Sequence, residues 1–490
     1  MPTLPALAYQ RDSTPTSTEP SSKEGTIVGT PSLSFKSETS SVIEKLPWDG
    51  YLEEDLPEKK EGKIFRDLRH IVFTIYHRIF GIVFFANAGI LIALFVYGVT
   101  SQRLGLITVA NIFVAIMMRQ DYVVNAFFDV FTSVPQSWPL WFRLLMARVY
   151  HLGGIHSGAA VSGTIWLAAT CAQGTQERVS GNGPISVATL TFAWLILIFL
   201  GCIIGFALPW FRSASHDTFE RIHRFAGWTA TGLVWVHVVL LTNDWRGEKS
   251  LGYALVHSAP MWLMFIITAS LALPWTRLRK VPVRSVVLSD HAVRMYFQYK
   301  VFGMHPRPVP GSFGRVSLDP LQEWHAFACV PVPGTDEWSM VVSQAGDWTT
   351  KLIRDPPSEI WVRGTPVSGV LRVNIMFRRV VFVATGSGIG PIAPCLFAHD
   401  QEHRLLWTGS NIRKTFGDDL VNAVTAADPD AVIYDTRKYG RPDMVKLTYK
   451  MVKDFNAEAV VIISNEPLTK KVVYGLMSRG VPAFGAIWDS

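Results

Sequence analysis

"VVFVATGSGIGPIAP", residues 380–394, is an apolar run that opens onto glycines at 386, 388 and 390 and a proline at 391. The run predicts a strand, and Pro391 suits the first turn of a helix. Glycines spaced this way let a backbone come close to a phosphate, and the helix N-terminus adds favourable charge. Thr385, Gly386, Ser387, Gly388, Gly390 and Pro391 are therefore candidate nucleotide contacts, with an unliganded tight turn as the other reading. Further along, strand-like runs at 380–384, 404–408, 431–435 and 459–464 alternate with helical stretches. That alternation predicts an α/β doubly wound domain over 379–490, with the loop at the carboxyl edge of its sheet.

Upstream of the loop, residues 281–378 alternate apolar and polar in short runs such as "SVVLSD", "VRMYFQYK" and "SMVVSQ", broken by Pro and Gly. The pattern predicts an antiparallel β-barrel. After the third strand of the α/β domain, Thr436, Arg437 and Lys438 place a hydroxyl beside two cations, which suits an adenosine 2′-phosphate. Asp435 adjoins them and suits a plain ribose instead.

Before residue 281 the chain changes character. Residues 1–62 are rich in Ser, Thr, Pro and Glu and predict a disordered N-terminal tail. Residues 63–280 carry long apolar stretches near 71–99, 104–126, 139–172, 187–210, 218–242 and 253–276. Each approaches the roughly 20 residues that cross a bilayer, so a six-helix transmembrane bundle is expected. Basic clusters at Lys63–Arg69, Arg212–Arg224 and Arg277–Arg284 fall on one side of such a bundle and put both termini in the cytoplasm. The net charge of +7 comes with no Lys/Arg block, so no nucleic acid is expected. Four scattered cysteines form no CxxC, which excludes a thiolate metal site of that spacing.

Histidines inside apolar helices are functional candidates. His223 and His237 are fourteen residues apart, within about 40° of one helix face and about 21 Å apart along the axis. That suits two haem ligands at two depths. Counted from Trp141 and Phe219, His156 and His237 reach similar depths, so one haem between them is geometrically available. His223 lacks a partner unless His151 serves. No haem, one haem and two haems remain open, and His156, His237 and His223 are the metal candidates.

Several motifs fall in one order along the chain. "TGSGIGPI" resembles the nicotinamide-side loop of the ferredoxin-reductase superfamily, and "EWHAFACV" (323–330) its flavin-binding W-H-P-F-S/T segment, with Ala326 and Ala328 in place of proline and hydroxyl. "AGDWTTKL" (345–352) is similar to a Gly-x-Trp-Thr turn beside the FAD pyrophosphate, and "YGRPDM" (439–444) to a Gly-Arg-Pro element. The chain after residue 60 resembles the ferric reductase and NADPH oxidase branch, most of all the fungal TmpA-type integral membrane flavoproteins. The resemblance implies FAD on the barrel, held by His325, Phe327, Gly346, Trp348 and Thr349, and NADPH on the sheet. It also implies that Phe142 or Arg143 stands where an inner haem ligand would be. "ISNEPL" (463–468) replaces a Cys-Gly-Pro near the nicotinamide, and Trp488 matches a flavin-shielding terminal aromatic; Glu466 and Trp488 are thus the catalytic candidates.

The expected function is a membrane flavoprotein oxidoreductase that passes electrons from NADPH through FAD to an acceptor in or across the lipid bilayer, with or without haem. Two alternatives stand beside it: a haem-free reductase of a small substrate at the membrane, and a nucleotide-binding sensor with little turnover.

Overall fold

A computed structural model describes residues 46–298 and 308–486. The first 45 residues of the expected tail, and Trp488, lie outside them. The longer helices that precede the barrel among the described residues are α1 Ile75–Tyr97, α2 Ser101–Met117, α3 Asp121–Thr132, α4 Gly153–Ser180, α5 Val187–Ala207, α6 His216–Trp245 and α7 Ala259–Ala272. By length and composition, four helical stretches could cross a membrane: Ile75–Tyr97, Val187–Ala207, His216–Trp245 and Ala259–Arg277. A fifth is available if α2 and α3 count as one span, but they meet at a 70° bend. Among the described residues four or five stretches thus meet that length and composition, and the expected six spans are not confirmed.

Two breaks account for the difference. Between α2 and α3 the Gln120 side chain turns back and accepts the backbone N–H of Tyr122 and Val123, which caps a new helix rather than extending the old one. The third apolar stretch is interrupted at Ala147–His151, and only from Gly153 does a long helix run. That helix, α4, is the centre of the bundle. Its glycines allow close approach: a Cβ at Gly154 would lie 2.6 Å from the Tyr76 carbonyl oxygen of α1.

The segment from 121 to 152 packs on the barrel and the α/β domain instead. Phe128, Ala147 and Val149 are buried in one cluster with Phe377, Phe382 and Trp407. Arg143, only 2% exposed, donates to both carboxylate oxygens of Glu458 at 2.8 and 3.0 Å and to the carbonyls of Met376 and Trp138. Its neighbourhood is the α/β domain, so neither it nor Phe142 stands at a haem depth within a span.

Among the described residues eight strands form the barrel: β1 Arg279–Pro282, β2 Arg284–Ser289, β3 Ala292–Gln298, β4 Ser312–Ser317, β5 His325–Ala328, β6 Val330–Pro331, β7 Glu337–Ser343 and β8 Glu359–Ser368. They make two antiparallel four-stranded sheets, ordered β1-β8-β4-β5 and β2-β3-β7-β6. Val293, Met295 and Phe297 alternate into the core opposite Trp338, Met340 and Val342, as a period of two requires. Helix α8, Asp347–Arg354, closes one side.

Strands β9 Arg379–Thr385, β10 Glu402–Gly409, β11 Val432–Asp435, β12 Ala459–Ile463 and β13 Ala483–Gly485 form a parallel sheet ordered β11-β10-β9-β12-β13. Helices α9 Ile389–Ala398, α10 Met444–Phe455 and α11 Glu466–Met477 lie among its crossovers. The order reverses between β9 and β12, the switch point at which doubly wound sheets bind ligands. Residues 46–61, expected to be part of a free tail, lie along this domain. Trp48, Tyr51, Leu52 and Leu56 pack on its core, and the Lys60 N–H donates to the Ser478 carbonyl at 2.7 Å.

Candidate functional site

The loop after β9 meets the end of β12 at the switch point. Thr385 and Ser464 share a hydroxyl–hydroxyl hydrogen bond of 2.6 Å, and the Trp407 indole N–H donates to the Gly386 carbonyl at 3.0 Å. Gly386 has φ +51°, a left-handed conformation that glycine adopts without strain. Gly388 is required for another reason: a Cβ there would lie 2.2 Å from the Ile463 carbonyl oxygen. Ser387 and Gly390 complete the turn into α9, and Pro391 borders a cavity of about 560 Å³.

Three parts of the fold enclose that cavity. Phe313, Arg315, Ala326 and Ala328 come from the barrel, Pro391 and Ile463 from the switch point, and Arg119, Val124 and Phe128 from the helices. Its volume falls in the range of small-molecule and cofactor sites. Alternation along β5 decides which side chains face it. Ala326 and Ala328 line the cavity, whereas His325 and Phe327 point to the other face, where His325 stacks on Trp348 with ring centroids 4.0 Å apart. The His325 Nε2 is buried without a partner, and burial lowers the ring's pKa from its ordinary value. Thr349 is buried and held by α8: its hydroxyl accepts the N–H of Ala345 and Gly346 at 2.8 and 3.0 Å and donates to the Gly346 carbonyl. The three proposed flavin contacts His325, Phe327 and Trp348 thus sit together, but behind the strand that walls the cavity.

At the sheet's carboxyl edge, Thr436, Arg437 and Lys438 form one short turn after β11. Asp435 accepts the Arg437 N–H at 2.8 Å and the Asn411 N–H at 3.2 Å, so its carboxylate is used in joining two loops. Arg437 and Lys438 are exposed. Strand pairing puts this turn two strands from the Thr385 loop, about 10 Å away. Trp48 of the N-terminal segment covers the neighbouring aromatics, 5.1 Å from Tyr434 and 5.3 Å from Tyr439 between centroids. Glu466 opens α11, where its carboxylate pairs with Lys470 at 2.6 Å.

The histidine pairing differs from the one expected. Counting depth from Trp141 assumes one unbroken helix, but α4 starts at Gly153, which puts His156 in its first turn. His156 therefore lies beside His223, ring centroids 6.3 Å apart, and not beside His237. The His156 Nδ1–H donates to the Ala115 carbonyl at 2.8 Å. His237 is buried against α5, its Nδ1 3.3 Å from the Thr189 carbonyl, and its Nε2 has no partner. The haem-ligand pair His156/His237 is not formed. Among the described residues no group of three or more metal-ligating side chains occurs. Cysteine chemistry is not indicated in the barrel or the α/β domain either, since burial pushes the Cys329 thiol up and the Cys395 thiol to about 12.

Sequence reasoning missed Phe313, Arg315, Ser368, Gly369 and Arg119 as cavity residues. In the sequence Arg315 falls on the polar face of its strand, opposite the core residue Val316, and Arg119 is a lone arginine at a helix end, so neither carried a signal.

The fold and site can be set beside known proteins. The model of the adenylate-forming reductase 03009 C-terminal domain matches residues 370–490. Adenylate-forming reductase 03009 of Coprinopsis cinerea is 53% identical over 456 residues, covering 92% of this chain and 44% of that protein. Adenylate-forming reductase 06235 of the same fungus is 50% identical over 493 residues, covering 100% of this chain and 47% of that protein. Among solved structures, a ferredoxin NADP+ reductase from Neisseria gonorrhoeae with bound FAD and NADP aligns with 43% of this chain and 99% of its own, at 14% identity and a TM-score of 0.33. Both curated relatives are named as adenylate-forming reductases and not as ferric reductases or NADPH oxidases. The homologues of this chain are thus fungal adenylate-forming reductases, and it spans less than half of their length.

Proposed function

We propose that this chain is an NADPH-dependent FAD oxidoreductase whose acceptor meets the flavin on the helical side of the cavity. The observation that carries the reading is the enclosure of one cavity by a barrel strand, a switch-point loop and a set of helices. The residues suit a flavin ring: Ala326 and Ala328 leave a flat wall, and the Arg315 guanidinium, held at 2.9 Å by Asp121, lies at its edge. FAD, when bound there, accepts two electrons from a nicotinamide and can release them singly.

The protein's own part is positioning. Gly386, Gly388 and Gly390 bring the backbone to the dinucleotide phosphates, and Thr436, Arg437 and Lys438 take the 2′-phosphate. Pro391 and Ile463 set the nicotinamide against the cavity, with the linked hydroxyls of Thr385 and Ser464 at its rim. The exposed apolar surface of α1, including Ile82, Phe85 and Ile92, supports insertion in a bilayer. In that placement the barrel and sheet stay on the cytoplasmic side.

A second reading of the acceptor follows from the relatives' name: an acyl group, activated as an adenylate elsewhere, arrives at the cavity and is reduced. The two readings share the flavin. Ala328→Trp tests it, because an indole at that position fills the flat wall. The parent chain is expected to purify with FAD, and the variant to lose it while still binding NADPH. FAD retained at the parent level in Ala328→Trp would contradict the site.

A further inference from the structure

The short helix Leu140–Met146 falls in the segment that packs on the α/β domain, and no step of the function above uses it. One of its seven residues is charged, Arg143. At about 100° per residue, Trp141 and Leu145 lie about 40° apart and Arg143 about 160° from both. The helix therefore has two unlike faces. The Arg143 face is taken, with its guanidinium buried on Glu458. The other face is apolar and open: Trp141 is 68% exposed, Leu145 55% and the preceding Trp138 48%. Arg143 is the only charged residue from 130 to 147, so the open face carries no charge.

Two observations identify what covers that face. The 70° bend between α2 and α3 turns the chain, so where α2 crosses a bilayer the segment after it runs toward the plane of the surface. Exposed aromatic residues also mark both ends of the bundle. Trp210 lies just past α5, and Trp228 packs on Trp275 just past α7. This is the end at which Arg224 of α6 donates to the Leu321 and Gln322 carbonyls of the barrel. At the opposite end Tyr97 closes α1 and Trp262 stands in the first turn of α7. Indole and phenol rings gather at the two headgroup levels of a bilayer because each joins an apolar body to a polar handle. Trp138 and Trp141 belong to the barrel-side set, since their segment packs on the barrel and the α/β domain.

We propose that Trp138, Trp141 and Leu145 bury in the headgroup boundary of the bilayer on the barrel side. The same helix then holds the α/β domain to the membrane surface through Arg143 and Glu458. This rests on the membrane placement given above and adds to it a lipid-contacting element outside the spanning helices.

The test uses nitroxide labels on the full chain in phosphatidylcholine vesicles, relaxed by oxygen, which concentrates in lipid, or by a water-soluble nickel chelate. Cys202→Ser removes the exposed native thiol, and Cys171, Cys329 and Cys395 are buried. Labelled Trp141→Cys and, separately, labelled Leu145→Cys are compared with Ile82→Cys on the exposed face of α1 and Asp418→Cys on the α/β domain. At Trp141→Cys and Leu145→Cys the ratio of oxygen to nickel relaxation should be several-fold higher than at the Asp418 site and approach that at the Ile82 site. Leu145→Cys carries the test if Trp141→Cys does not fold. A ratio equal to that at the Asp418 site would overturn the proposal. Weak relaxation by both agents would overturn it in favour of a second copy of the chain on this face. Either result with a lipid-like ratio at the Ile82 site leaves the membrane placement standing. A water-like ratio at the Ile82 site would contradict that placement and the proposal with it.

Discussion

Replacing Gly388 with alanine places a methyl carbon 2.2 Å from the Ile463 carbonyl oxygen. Ordinary contact between such atoms needs about 3.4 Å, so the loop after β9 and the end of β12 must separate by about 1 Å. Both belong to backbone, and neither can swing aside like a side chain. In the proposed placement the loop carries the dinucleotide, and Ile463 borders the cavity, so the separation would fall on the distance between nicotinamide and flavin. A misplacement of about 1 Å in an aligned transfer costs on the order of a hundredfold in rate. Overpacking also destabilises the domain by about 1–3 kcal/mol, which leaves the fold populated. The assay is rapid mixing of the FAD-loaded variant with NADPH, following the flavin band. Gly388→Ala is expected to retain flavin and to bleach about a hundredfold more slowly than the parent. Bleaching within a factor of about two of the parent would refute the placement of this loop beside the flavin.

Other expectations follow from single contacts. Arg437→Ala together with Lys438→Ala should raise KM for NADPH by about tenfold or more and leave NADH almost unaffected, read by steady-state kinetics. Glu458→Ala leaves Arg143 buried without its partner and should cost about 3 kcal/mol in thermal or denaturant unfolding, whereas adding Arg143→Met should restore most of it. Burial alone would raise the Glu458 pKa, but hydrogen bonds from Arg143 and the Arg378 amide outweigh it and hold the carboxyl below its ordinary value. A depressed carboxylate adds stability above its unfolded pKa, and that stability is lost as pH falls through the folded pKa. Acid unfolding should therefore show a step on the acid side of the ordinary glutamate range that Glu458→Gln removes. Trp48→Ala should lower the melting temperature of the α/β domain, by an amount equivalent to about 2 kcal/mol for a half-buried indole.

Where local rules act within one element, the sequence was informative. The run from Val380 to Pro391 combines a buried strand, a left-handed glycine and a helix start, and each is written in residue type. The α/β domain and most of the barrel strands followed from such signals. β1, β8 and β13 did not, because short strands at sheet edges or rich in Pro and Gly show little alternation. The histidine pairing depended on continuity of a helix across Ala147–His151, which hydropathy does not report. Apolar residues such as Val149 read as membrane-facing in sequence, yet they are buried against the α/β domain. Hydropathy measures the tendency to leave water and does not tell lipid from a protein core. The same limit hid the docking of residues 46–61, where four apolar side chains in a polar tail meet a complementary surface. Alternation along β5 was visible, but which face of the strand met the cavity was settled only by tertiary contacts.

The central claim is that a flavin lies between the barrel and the switch point and takes its electrons from NADPH. It is tested most directly by the absorbance of the full chain, purified in detergent, before and after anaerobic addition of NADPH or NADH. About one flavin per chain, bleached faster by NADPH than by NADH, is the expected result. A folded chain that carries no flavin and takes up none from added FAD would contradict the account.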